Sequence, residues 1–166
     1  MKKLIILFAF CVSANAQYLS FDGTNDYISV TNKLAGSYTA FTISTWVKVD
    51  DYGDNDPDFI LDVGTSGNGR RINLSISTNG FNASLEGVGS NIFDVSASSS
   101  NTTDWQHVVF TWSGTDYARI FINGTQAAED TSISSGTLTL ESGDSFNIGK
   151  RFSGAQYFPG DIDEMS

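Results

Sequence analysis

Carboxylates are the most concentrated chemical resource of this sequence. Asp50-Asp51-Tyr52-Gly53-Asp54-Asn55-Asp56-Pro57-Asp58 packs five aspartates into nine residues. So dense a run repels itself unless water or a cation relieves it. Asp54, Asp56 and Asp58 alternate as in calcium loops, but the central Gly and closing Glu of an EF-hand loop are missing. Two readings stand: a solvated loop, or a contact with calcium or a ligand. A second group, Asp22-Gly23-Thr24-Asn25-Asp26, combines turn-forming composition with three side chains able to offer oxygen to a metal.

Catalytic chemistry finds little to use. His107 is the only histidine and sits beside Val108 and Val109, where a structural role is expected rather than a triad with a serine and an acid. The only cysteine is Cys11, so thiol catalysis and histidine-rich zinc sites are excluded. A glycoside hydrolase needs only two carboxylates about 5–9.5 Å apart. Asp161-Ile162-Asp163-Glu164-Met165 offers alternating acids, but Met165 stands where a third acid would complete such a strand. No catalytic residue is assigned, and the expected protein binds rather than reacts.

Aromatic rings are what a sugar-binding surface uses, stacking on the apolar side of a pyranose while polar neighbours take its hydroxyls. The candidates are Trp46, Tyr52, Trp112, Tyr117 and Tyr157. Trp46, Trp105 and Trp112 fall in strand-like stretches, where a core position is the expectation. Tyr52 and Tyr157 lie in loop-like stretches and, with Asp54, Asp56 and Asp58, form the expected ligand-binding rim. Asn-x-Ser/Thr sites at Asn73, Asn82, Asn101 and Asn123 are what a Ser/Asn-rich chain generates by accident.

The elements that must position these residues are strands. Short runs of Ile, Val, Phe, Tyr and Thr recur between clusters of Gly, Asn, Asp and Ser, and helix signals are nearly absent. Along Phe41 to Val49, Phe41, Ile43, Val47 and Val49 share one face and Thr42, Ser44, Trp46 and Lys48 the other. Ile72, Leu74 and Ile76 repeat that period, as do Ile120 with Ile122 and Phe146 with Ile148. Each half-apolar face needs a second sheet to cover it, which predicts an all-β, two-sheet antiparallel sandwich. Asn123-Gly124 predicts a tight primed turn between a strand from Tyr117 to Ile122 and a return strand through Gln126. Tyr18–Phe21 and Tyr27–Val30 flank the Asp22–Asp26 turn, and Ser96 to Thr103 reads as a loop. A strand signal begins near Phe158 and still runs at Met165-Ser166, so the last strand reads as truncated and the chain as part of a longer polypeptide.

The first sixteen residues read as a bacterial-type secretory leader. Lys2 and Lys3 precede an apolar run from Leu4 to Val12 and a small-residue site, Ala14-Asn15-Ala16, with cleavage expected after Ala16. A nine-residue run is too short for a membrane span of about 20. The leader removes two of nine basic residues against 19 acidic ones, moving the net charge from −10 to −12. Nucleic acid and anionic membrane are thereby poor partners, since both reward clustered Lys and Arg. The remaining 150 residues contain no cysteine and are enough for one domain held by its core alone.

In order along the chain, Phe21-Asp22-Gly23-Thr24-Asn25-Asp26-Tyr27, Thr42-Ile43-Ser44-Thr45-Trp46-Val47-Lys48, Trp105-Gln106-His107-Val108-Val109, Ile120-Phe121-Ile122-Asn123-Gly124, Phe146-Asn147-Ile148-Gly149 and Gly160-Asp161-Ile162-Asp163-Glu164 resemble the laminin-G-like, concanavalin A-like lectin/glucanase domains. The resemblance spans Leu19 to Glu164. It implies a two-sheet jelly roll that works as a secreted or surface module for carbohydrate or extracellular protein ligands. A structural spacer and, less well supported, a glycosidase fragment are the alternatives. It also implies a structural calcium where the first turn meets the closing strand, matching Asp22 and Asp163 with Asn25 and Asp26 nearby.

Overall fold

The computed structural model describes residues 17–31, 34–52, 56–65, 70–87, 90–98, 102–133 and 136–166. The expected leader and Asp54 lie outside them. Fourteen strands form in chain order: β1 (Leu19–Asp22), β2 (Ile28–Thr31), β3 (Gly36–Tyr38), β4 (Phe41–Val49), β5 (Asp58–Thr65), β6 (Arg70–Ser77), β7 (Gly80–Gly87), β8 (Ser90–Ala97), β9 (Gln106–Trp112), β10 (Ala118–Ile122), β11 (Thr125–Asp130), β12 (Leu138–Leu140), β13 (Ser145–Ile148) and β14 (Pro159–Asp163).

They pair antiparallel in two six-stranded sheets, β1-β14-β4-β9-β10-β11 and β2-β13-β5-β6-β7-β8, with β3 and β12 as a separate pair. This is the expected jelly-roll sandwich. Strands β1 and β2 flank the Asp22–Asp26 turn but enter different sheets, so that turn carries the chain from one layer to the other.

Period-two alternation builds the core. From the first sheet come Val47, Val49, Val108, Phe110, Trp112, Ala118, Ile120 and Ile162; from the second come Leu61, Val63, Ile72, Leu74, Ile76, Phe81, Ala83, Leu85, Phe93 and Val95. Rings join the layers: Phe93 of β8 lies 5.3 Å from Phe110 and 6.2 Å from Trp112, both on β9. Of the three tryptophans expected inside, only Trp112 is a core residue. Trp46 points outward from β4 and Trp105 precedes β9.

Two local features aim side chains. The Asn123-Gly124 turn forms as expected, with φ of 51° and 79°, and Asn123 Oδ1 accepts the His107 backbone N–H at 2.9 Å. The β5–β6 register shifts between Phe59 and Leu61. That bulge turns Phe59 to the side of Arg71, whose guanidinium covers it, while Ile60 and Leu61 join the core; all three are buried.

Strand β14 ends at Asp163, earlier than its apolar signal. Glu164 adopts φ 49°, and the chain returns to β4 at Ser166, which exchanges two 2.9 Å backbone hydrogen bonds with Ser44.

Candidate functional site

The outward side of the second sheet is a polar trough. On β6 the residues that alternate with Ile72, Leu74 and Ile76 are Arg71, Asn73, Ser75 and Ser77; β7 sets Asn82, Ser84 and Glu86 beside them, and β8 adds Asp94 and Ser96. These line an open groove of about 490 Å³, with Asp56, Pro57, Phe59, Arg151 and Gln156 also on its walls. Asn73 and Ser75 on β6 and Ser84 on β7 are buried in it, whereas Asp94 and Ser96 on β8 are exposed.

Arg71 fixes the closed end. Its Nε and Nη2 donate to the two carboxylate oxygens of Asp62 at 2.7 and 2.9 Å, and Nη1 donates to Glu86 at 3.1 Å. The guanidinium lies between the Phe59 and Phe152 rings, 5.2 and 5.0 Å from their centroids. Asp62, fully buried, also accepts the Phe152 backbone N–H at 2.8 Å. Burial works against the Arg71 charge, but the Asp62 hydrogen bonds and charge, joined by Glu86, outweigh it and raise the guanidinium above its usual value.

The open end is a lattice of short donors and acceptors. Asn73 Nδ2 donates to Ser84 Oγ at 2.6 Å, and Asn82 Nδ2 donates to Asp94 at 2.5 Å and Ser96 Oγ at 2.9 Å. Arg151 donates to Gln156 at 3.1 Å while its Nε is buried without a hydrogen-bond partner. Asp62 and Glu86 are held by Arg71 and Asp94 by Asn82, so these carboxylates serve as acceptors in a fixed network. The groove can present both donors and acceptors to a ligand dense in hydroxyls.

The sequence-derived candidates are dispersed. Asp56 reaches the groove wall and Asp58 opens β5. Tyr52 is an anchor rather than a rim residue: its hydroxyl donates to the Thr102 carbonyl at 2.8 Å, accepts from Gln106 at 3.0 Å, and its ring packs on the core. Tyr157 faces Tyr27 at 6.2 Å, with Lys150 Nζ over both rings, and Tyr117 is covered by Arg119. His107 Nε2 lies 2.9 Å from Ser44 Oγ, and among the described residues no acid hydrogen-bonds its ring. Asp161 is bound to Lys48 at 3.2 Å and Met165 packs against the core, so the closing strand carries no row of free acids.

Asp22 and Asp163 are not brought together. In the β1–β14 ladder Asp22 faces Pro159, four residues from Asp163, which separates them by about 13 Å along the strand. Asp22 Oδ1 instead accepts the N–H groups of Thr24 at 2.7 Å and Asn25 at 3.2 Å, and Asp26 accepts the Asp22 N–H at 3.2 Å. Those backbone donors, Thr24 first, hold the Asp22 carboxyl below its usual value. No group of three or more His, Cys, Asp or Glu suited to a metal occurs among the described residues. Asp22, Asn25, Asp26 and Asp163 as a set therefore do not fit one calcium ion.

A family model described as the concanavalin A-like lectin/glucanases superfamily matches residues 22–166. The chain belongs to that superfamily. A native heptameric SAP-like pentraxin from Limulus polyphemus is similar over 89% of this chain and 73% of its own, with TM-score 0.64 and 19% identity. Domains LG4-5 of the mouse laminin alpha1 chain are similar over 90% of this chain and 40% of their own, with TM-score 0.64 and 11% identity. At these identities the likeness is one of fold. No curated protein matches the sequence.

Two outcomes follow for the superfamily fold. Asp62→Ala strands the buried Arg71 and costs about 3 kcal/mol in urea denaturation. Asp22→Ala is less stable than wild type at pH 7. Because folding lowers the Asp22 pKa, its contribution is present above the unfolded value and lost as pH falls through the folded one. The gap between the two proteins therefore closes below about pH 4 in melts run from pH 7 to 2.5.

Proposed function

We propose that this chain is a secreted or surface-displayed, non-catalytic module that binds carbohydrate in the groove over β6, β7 and β8. The observation that carries the reading is the outward row Asn73, Ser75, Asn82, Ser84, Asp94 and Ser96, amides, hydroxyls and a carboxylate side by side on three adjacent strands. Sugar hydroxyls both donate and accept, and such a row meets them with both. Phe59 lines one end of the groove but is buried beneath the Arg71 and Arg151 guanidiniums, so it backs the polar row rather than offering a ring face. The superfamily's lectin members support the same reading, as does the laminin- and pentraxin-like fold.

Secretion rests on the leader-like first sixteen residues; among the described residues no helix is long and apolar enough to cross a membrane. Calcium enters this proposal only at the Asp22–Asp26 turn, without Asp163. Excess chelator then lowers the melting temperature, and an unchanged melting curve removes calcium from the reading.

The test of the groove is a glycan array followed by titration with the best glycan. Asn82→Ala and Asp94→Asn each weaken binding by about tenfold, the scale of one lost hydrogen bond to a charged or amide group, whereas Tyr157→Ala leaves it unchanged. Silence on the array together with capture of an extracellular protein would move the ligand class to protein.

A further inference from the structure

A second site lies on the outward side of the other sheet. Tyr18 just before β1, Trp46 on β4 and Trp105 just before β9 line an open pocket of about 470 Å³, completed by Asp163 and Glu164. Tyr18 and Trp105 meet edge to face, centroids 5.6 Å apart and planes at 68°, so they form a corner rather than a flat platform. Trp46 is backed by the His107 ring at 5.0 Å, itself held by Ser44 at 2.9 Å. Two of the rings face solvent, with Tyr18 50% and Trp46 37% exposed.

Five rings elsewhere carry cations of the protein's own. Lys150 lies 4.3 Å from the Tyr27 centroid, Arg119 lies 3.6 Å over Tyr117, and Arg71 and Arg151 cover Phe59 and Phe152. Among the described residues, none stands over Tyr18, Trp46 or Trp105, and neither Asp163 nor Glu164 joins an ion pair. Negative ring faces and two unbalanced carboxylates on one pocket attract positive charge.

The form of that charge follows from the walls. A hard metal ion takes oxygen ligands and gains nothing from three rings, and one Asp163 oxygen already accepts the Glu164 N–H at 2.8 Å. A neutral sugar would use the rings and leave both carboxylates unbalanced. An alkylammonium group uses both, its methyl or methylene surface against the rings and its charge toward the acids. We propose that Tyr18, Trp46, Trp105, Asp163 and Glu164 form a binding site for an alkylammonium group, from either a free quaternary amine or a methylated lysine side chain.

The test titrates the secreted chain with tetramethylammonium chloride, following indole N–H signals by NMR, against sodium chloride at equal ionic strength. The Trp46 and Trp105 signals shift saturably and the core Trp112 signal does not. Trp105→Ala and, separately, the conservative Glu164→Gln weaken the response by about fivefold, while Asn82→Ala in the groove leaves it intact. A trimethyl-lysine peptide binding more tightly than tetramethylammonium identifies a protein side chain as the source, and the reverse order a free amine. An equal response to sodium chloride, full binding by a folded Asp163→Asn/Glu164→Gln variant, or binding of a methyl glycoside in place of the cation overturns the proposal.

Discussion

An extended strand turns successive side chains to opposite sides, and two stacked sheets can bury only one side of each. That constraint governs every feature of this molecule. Ile72, Leu74 and Ile76 must face Phe110 and its neighbours, so Arg71, Asn73 and Ser75 must face away from them. Most sandwich surfaces spend this second side on solvated charge. Here β6 and β7 carry short amides and hydroxyls sunk out of full contact with water, and short side chains lose little rotamer freedom when a ligand arrives.

Arg71 gives the trough its fixed shape. A guanidinium with a side chain 6% exposed cannot remain charged without partners, and the chain supplies four from three places: Asp62 and Phe59 on β5, Glu86 on β7, and Phe152 beyond β13. The same contacts that satisfy the charge therefore tie three adjacent strands to the segment that walls the groove. Replacing such a cluster with apolar residues is often neutral for stability, so its presence is better explained by the geometry it imposes than by the free energy it contributes.

The fold was legible because its signals are local. Alternation at Phe41–Val49 and Ile72–Ile76 names the faces, and Asn123-Gly124 names a hairpin whose two residues adopt the positive φ that the turn requires. The site was less legible because period two says which residues share a face, not what lies over it. Arg71, Asn73 and Ser75 read as ordinary outward positions between the isoleucines; only the second row, Asn82 and Ser84 between Phe81, Ala83 and Leu85, hinted at a shared polar surface. Tyr52 sits in loop-like sequence, yet Gln106 and Thr102 draw its hydroxyl inward. Asp22 and Asp163 fall in adjoining strands, but an antiparallel register four residues out of step separates them, and register is a tertiary fact.

The use of positive charge explains which ligands the surface can accept. Beyond the leader-like segment the chain has seven basic residues, and six of them are committed: Lys48 to Asp50 and Asp161, Arg70 to Glu141, Arg71 to Asp62 and Glu86, Arg119 to Glu129 and Tyr117, Lys150 to Tyr27 and Tyr157, and Arg151 to Gln156 and two phenylalanine rings. A phosphate or sulfate entering either site would have to take a cation from one of these internal ties and leave its carboxylate or ring uncovered. The outward field is set instead by the acidic excess, so a neutral hydroxyl-rich ligand meets the groove without a charge penalty. A cation meets the Tyr18–Trp46–Trp105 corner with a gain. The acidity of the sequence thus works against polyanions, in keeping with the sugar and alkylammonium ligands proposed for the two sites.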